Sequence, residues 1–165
     1  MNATDFVLSP VDAFDGHVEG RGLMQKRVYF ASLLTGIDSD FGFVTHYYGP
    51  YASTADNSVT RPKSVGFLSE SRIEPPVTSS GFDVKWHDYR LTDEGVKASA
   101  AFKQNPEYAG IAAGCKAIRK AGNPDRLTLS IATKAHFIQR FNSKVNQASL
   151  RNAVQFPEGL SLVQQ

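Results

Sequence analysis

Apolar residues recur at helical spacing in several stretches of the chain and alternate with polar ones in one. In GLMQKRVYFASLLTG, the residues Leu23, Phe30, Leu33 and Leu34 fall on one face at a period near 3.6, which predicts a helix stopped by Gly36. Gln25, Lys26 and Arg27 belong to its first turns. Upstream, SPVDAF predicts a short helix with Ser9 as N-cap and Pro10 at its first position, and HVEGRG from His17 to Gly22 reads as a loop. Downstream, Thr92 caps a helix TDEGVKASAAFK whose Asp93 and Glu94 sit at the positive end of the dipole. After Asn105-Pro106, two more helices follow. One carries Ile111, Cys115 and Ile118 on its apolar face, the other Ile131, Ala135, Ile138 and Phe141. The tail from Asn142 is amphipathic or irregular, and Pro157 and Gly159 mark its last turn.

Between the helices the pattern changes. FGFVTHYYGPY is aromatic and β-branched and predicts a short strand near residues 43–48 ending in a Gly-Pro turn. Ser53 is a fitting N-cap for a helix starting STADNSV, but Pro62 interrupts it at a cost of roughly 3 kcal/mol. The segment is therefore either kinked or restarts at Pro62, and Gly66-Phe67-Leu68 closes it into the core. RIEPPVT and FDVKWHDYRL read as hairpin arms, with strands near residues 71–77 and 82–91. In the second arm Phe82, Val84 and Trp86 alternate with Asp83, Lys85 and His87, so Trp86 is expected to be buried.

Composition fits one ordinary globular domain over residues 1–165: hydrophobic residues make up 41% and charged ones 21%, which excludes wholesale disorder. The net charge of +2 says little, but its distribution is uneven. Residues 1–52 hold three Lys/Arg against six Asp/Glu, residues 53–90 five of each, and residues 103–151 nine against two. The basic surface thus belongs to the C-terminal third. Cys115 is the only cysteine, so neither an internal disulfide nor a cysteine-rich zinc site is expected. No apolar run approaches the roughly 20 residues that cross a bilayer, and the start MNATDFVLSPVDAFDG lacks a basic leader region. A cytoplasmic protein with no membrane partner is expected.

The strings MQKRVYFASLLTG, HYYGPYAS, VGFLSE and YRLTDEG, in that order, resemble the YwgA-like winged-helix family and, more distantly, the Panacea (SocA-like) antitoxin domain. Shared are a Gln-Lys helix, a Tyr-Gly-Pro turn and a later Leu-Thr-x-x-Gly segment. The resemblance implies an α+β fold. It would be a mostly helical winged helix-turn-helix over residues 20–100, with a β-hairpin wing and a C-terminal helical extension over residues 103–165. It also implies a DNA-binding regulator, acting as a homodimer through the C-terminal helices. The alternative is a protein-binding module, antitoxin-like or adaptor-like, that uses the winged helix as a scaffold.

The candidate residues follow from these two readings. Thr54, Asn57, Thr60, Arg61 and Lys63 follow the Tyr-Gly-Pro corner and offer hydrogen bonds to base edges or phosphates of double-stranded DNA. Lys85, His87 and Arg90 lie on or beside the wing. Lys116, Arg119 and Lys120, with Lys134, Arg140 and Lys144, form the stronger electrostatic case, since a surface that neutralises phosphates binds with steep salt dependence. Tyr47, Tyr48 and Tyr51 bury ring area while offering hydroxyls; they make either a structural corner or a partner contact. No enzyme is expected. His17, His46, His87 and His136 lack ligand spacing, Cys115 lies on an apolar stripe, and no nucleophile or phosphate-loop motif occurs, so no metal or cofactor is expected.

Overall fold

Burial, rather than capping, decides where the first helix begins. Residues 3–36, 41–46, 49–73, 86–122 and 126–141 are described by a computed structural model. In it α1 spans Ala3–Ala13 and carries Pro10 inside. The predicted start at Ser9 is too late: Ser9 and Pro10 are fully buried in mid-helix. Phe6, Val7, Leu8 and Val11 all join the core, with Phe14 just beyond the helix end. Burying such side chains yields about 1.5–3 kcal/mol each, which outweighs the proline cost.

The stretch read as a loop contains β1, His17–Glu19, whose Val18 is fully buried opposite Tyr89. Three residues are too few for alternation to announce a strand. The long helix α2 spans Gly20–Thr35 and ends at Gly36, whose amide bonds the Leu33 carbonyl at 3.2 Å. Its buried face differs from prediction. Leu34 is 57% exposed and Phe30 and Leu33 are half-buried, whereas Gln25, Lys26 and Arg27 are buried. Neighbours pack against α2 on several sides, so no single apolar stripe describes it.

Of the predicted strand at residues 43–48, residues 47 and 48 lie outside the described residues; residues 43–46 show one bridge, in which Val44 and Tyr51 exchange both backbone hydrogen bonds at 2.9 and 3.1 Å. Two short helices follow, α3 (Ser53–Ser58) and α4 (Thr60–Ser64). Ser53 is the first helical residue and Ala52 the cap, one place from the expected N-cap. The chain does restart around the proline. Pro62 falls in the first turn of α4, where an amide has no intrahelical partner to lose.

The hairpin arms are β2 (Leu68–Ile73) and β3 (Trp86–Leu91), antiparallel with Leu68 opposite Leu91 and Ile73 opposite Trp86. The expected extensions over residues 74–77 and 82–85 lie outside the described residues, as does the side chain of Trp86. Sheet order is β1-β3-β2, with β3 in the middle. Then come α5 (Asp93–Phe102), α6 (Pro106–Lys120) and α7 (Arg126–Phe141). On α6, Ile111, Cys115 and Ile118 are buried where the periodicity put them. On α7 the buried stripe is Leu129, Thr133, Phe137 and Ile138, while Ile131 is 43% exposed. The molecule is thus an α+β protein of seven helices and a three-stranded antiparallel sheet among the described residues.

The junction from sheet to α5 explains the Leu-Thr-x-x-Gly segment. Thr92 caps α5 by accepting the Gly95 amide at 3.0 Å, and its own amide donates to the Phe67 carbonyl at 3.1 Å. That same carbonyl presses against Gly95. A Cβ there would overlap the Phe67 oxygen and stand only 2.9 Å from its carbon and 3.1 Å from Leu91 Cδ2. Alanine in a helix normally gains about 1 kcal/mol over glycine. Here Gly95→Ala is expected to lose roughly 3 kcal/mol instead, because backbone must move. Urea denaturation checks the sign; a stabilised Gly95→Ala would show that α5 does not dock on Phe67.

Candidate functional site

The Tyr-Gly-Pro corner is held from α2. The Gln25 side chain donates from Nε2 to the Ala52 carbonyl at 3.0 Å and accepts the Ala52 amide on Oε1 at 3.1 Å. Both groups are buried, so the pair satisfies backbone that would otherwise be stranded. Lys26, one residue on, is 3% exposed, and its Nζ donates to the Pro50 carbonyl at a long 3.5 Å. Gly49, at φ 104, lies under this ammonium: a Cβ there would come 3.1 Å from Lys26 Nζ and 3.2 Å from Lys134 Cγ. Burial first, and the Lys134 charge second, pull the Lys26 pKa down to about 8. Of the three corner tyrosines, Tyr51 is half-buried with its ring 5.3 Å from that of His46. Tyr47 and Tyr48 lie outside the described residues.

Arg27 turns the other way. Its guanidinium lies 3.7 Å over the Phe14 ring and Nη1 donates to the His17 carbonyl at 3.1 Å, tying α2 to the α1–β1 junction. Its Nε is buried without a hydrogen-bond partner, and burial pulls its pKa down to about 10. Tyr29 links α2 to α7, with its hydroxyl 2.8 Å from His136 Nδ1.

Around α3, α4 and the sheet, the basic candidates are matched by acids. Glu70 on β2 is the hub: Lys63 bonds one carboxylate oxygen, and His87 Nδ1 lies 2.8 Å from the other. That second contact lacks hydrogen-bond alignment. Arg21 approaches Glu70 at 3.6 Å and Asp56 at 3.8 Å while donating to the Tyr89 hydroxyl at 2.9 Å. Burial alone would raise the Glu70 carboxyl, but hydrogen bonds from Lys63 and Tyr89 with the Lys63 and His87 charges hold it below its ordinary value. On β3, Arg90 Nε donates to Asp88 at 3.1 Å, and the other oxygen of Asp88 meets His17. Lys63, His87 and Arg90 are therefore engaged rather than free. Asn57, Thr60 and Arg61 are exposed, Thr54 is half-buried with its carbonyl holding Ser58, and Lys85 lies outside the described residues.

The C-terminal basic group divides. Arg119 is bound to Asp15 by two bonds of 3.0 and 3.1 Å and caps α1 by donating to the Ala13 carbonyl at 2.8 Å. On α7 Arg140 is exposed and Lys134 half-buried, and Lys144 lies outside the described residues. Lys116 and Lys120 are exposed, and among the described residues neither pairs with an acid. Together with Ala13, Ala112 and Arg119 they line an open cleft of about 460 Å³ between α1 and α6.

Sequence reasoning found Lys63, His87 and Arg119 but not their acidic partners Glu70 and Asp15, nor the burial of Gln25, Lys26 and Arg27. Three consecutive polar residues inside an apolar helical pattern were the available signal. Among the described residues no helix is long and apolar enough to cross a membrane. No family model matches the chain, and no curated protein matches it significantly.

The buried ammonium has a pH signature. Its folded pKa lies below the unfolded 10.5, so between about pH 8 and 10.5 the unfolded chain holds more protons and stability rises with pH. Below pH 8 the cost is fully present, up to about 3 kcal/mol. Lys26→Met should therefore compare more favourably with wild type at pH 7 than at pH 10.5, by up to that amount. Paired urea titrations at the two pH values check this, because terms common to both proteins cancel. A pH-independent difference would place the Lys26 ammonium in water.

Proposed function

We propose that the chain is a protein-binding module, antitoxin-like or adaptor-like, built on a winged-helix scaffold, and that its partner presents an acidic surface to the α1–α6 cleft. The winged-helix reading is supported by the order helix, strand, two helices' worth of chain, and hairpin, with the first strand paired beside the last. On this reading the scaffold begins at α1 rather than near residue 20. The segment in the place of a recognition helix is α3–α4, two pieces of six and five residues.

The observation that carries the partner reading is the acidic matching of that side. Arg21, Lys63, His87 and Arg90 face Asp56, Glu70 and Asp88, so most cations available to duplex DNA there are already compensated. Releasing one toward a phosphate removes part of the compensation of a partly buried carboxylate, which offsets the gain. Lys116 and Lys120 carry no such cost.

A second reading, a DNA-binding regulator acting as a homodimer, is favoured by Arg61. It is exposed on α4 and without an acidic partner among the described residues. Phosphate contacts by Arg61, Lys116 and Lys120 would give a salt slope falling by about 1 for each one removed.

A mobility-shift series on random duplex across salt, run beside a pull-down, separates the two. The partner reading expects no duplex shift at low salt, and recovery of one stoichiometric acidic protein by wild type but not by Lys116→Glu/Lys120→Glu. Arg119 is left intact in that variant because it caps α1. A duplex shift weakened on all sequences by the double variant, with sequence preference altered by Arg61→Ala, would overturn the partner reading in favour of DNA.

A further inference from the structure

The ion pair between Arg119 and Asp15 joins an anchored cation to a carboxylate that little else holds in place. Arg119 is anchored independently of Asp15, because Nη1 also donates to the Ala13 carbonyl at 2.8 Å. It lines the α1–α6 cleft beside Lys116 and Lys120. Along α6, Lys116, Arg119 and Lys120 stand at i, i+3 and i+4, which puts them on one helix face. Asp15 is held differently. Its side chain is 80% exposed, whereas that of Asp12, on the same stretch of chain, is 12% exposed and bonded by Lys103 and Tyr108. Among the described residues Asp15 is also the one non-glycine at positive φ, 62°. That region strains any side chain, although aspartate and asparagine tolerate it best.

A strained turn thus presents an exposed carboxylate to a guanidinium at the edge of a basic cleft. In water such a pair yields little net stability, so the strain calls for a functional reason. The geometry supplies one. Asp15 meets the guanidinium through two bonds of 3.0 and 3.1 Å, the fork by which arginine recognises a carboxylate. We propose, resting on the partner-binding reading, that Asp15 is a built-in occupant of Arg119. An aspartate or glutamate of an acidic peptide segment displaces it, and further carboxylates of that segment meet Lys116 and Lys120.

Exchange of this kind is cheap here and nowhere else on the surface described above. A released Asp15 stays in solvent, and Arg119 keeps its bond to the Ala13 carbonyl, so α1 remains capped. Glu70 and Asp88, at 18% and 5% exposure, have no such freedom. Spacing agrees with an extended ligand. Its same-side carboxylates recur at roughly 6–7 Å, close to the 5–6 Å between neighbouring positions on one helix face. Self-occupancy weakens binding in proportion to the time the site is filled, so a partner must outcompete a carboxylate to dock.

The test is fluorescence anisotropy of labelled hexaglutamate titrated with the full chain at matched ionic strength, with labelled hexaglutamine as the uncharged control. Asp15→Asn keeps a residue that accepts the left-handed turn and removes the carboxylate. It is expected to tighten hexaglutamate binding about two- to fivefold. Glu94→Gln removes an exposed charge on α5, outside the cleft, and controls for net charge; its affinity should stay close to wild type. Lys116→Gln/Lys120→Gln should weaken binding about tenfold. The proposal is overturned if Asp15→Asn binds no more tightly than Glu94→Gln, or if neither wild type nor Asp15→Asn binds hexaglutamate. Binding that needs Lys116 and Lys120 but ignores Asp15 would sink this inference alone and leave the partner reading to the pull-down. Displacement of hexaglutamate by an equal charge of short random duplex would overturn both in favour of DNA.

Discussion

The double hydrogen bond between the Gln25 side chain and the Ala52 backbone is the contact on which the middle of the molecule depends. An amide side chain matches both the donor and the acceptor of one peptide position, as a neighbouring strand would. It fixes Ala52 in extended conformation, and that residue is the cap from which α3 starts. Ala55 and Val59 then reach the core, and Leu68 follows at the head of β2. Hydrophobic burial supplies most of the energy, but it does not specify where a turn stops and a helix starts. A buried, satisfied amide does, because moving the turn by one residue would strand both partners.

The next two residues extend the same device in other directions. Successive helical positions turn by about 100°, so Gln25, Lys26 and Arg27 address three different neighbours. Gln25 holds the corner, Lys26 reaches Pro50, and Arg27 reaches Phe14 and the start of β1. From β1 the chain of contacts continues through Val18 to Tyr89 on the central strand, and from Tyr89 to Arg21 at the first turn of α2. Burial raises the Tyr89 hydroxyl pKa and the neighbouring Glu70 carboxylate raises it further, so Tyr89 stays protonated beside the Glu70 hub. Sheet and helix are thereby fastened by polar groups at both ends of α2's first three turns.

These connections also explain what could be read from the chain and what could not. Helices with a clear stop or cap were legible: Gly36 ends α2 and Thr92 begins α5, both by local backbone chemistry. The face of α6 was legible because Ile111, Cys115 and Ile118 pack on one side only. The face of α2 was not, since burial on several sides erases a single stripe, and Leu34 looked like core while Lys26 did not. The strand β1 was invisible because it exists only by pairing with Arg90, Tyr89 and Asp88, some seventy residues away. Of the candidate site residues, positions were foreseeable but availability was not. Lys63, His87 and Arg119 looked like free cations until Glu70 and Asp15 were found beside them.

That last difference bears on how resemblance relates to function in this chain. The Gln-Lys pair, the Gly-Pro turn and the Leu-Thr-x-x-Gly segment all have structural work: Gln25 and Lys26 grip the turn, Gly49 makes room for the ammonium, Thr92 caps, and Gly95 admits the Phe67 carbonyl. Residues occupied in this way fix a scaffold, and a scaffold does not by itself say what it binds. Arg61, Lys116 and Lys120 belong to none of these motifs. They are the exposed cations whose charge is not already compensated by a described acid, so any polyanionic partner, protein or duplex, gains most by meeting them. On the proposed function, specificity would be carried by side chains that the motifs leave out.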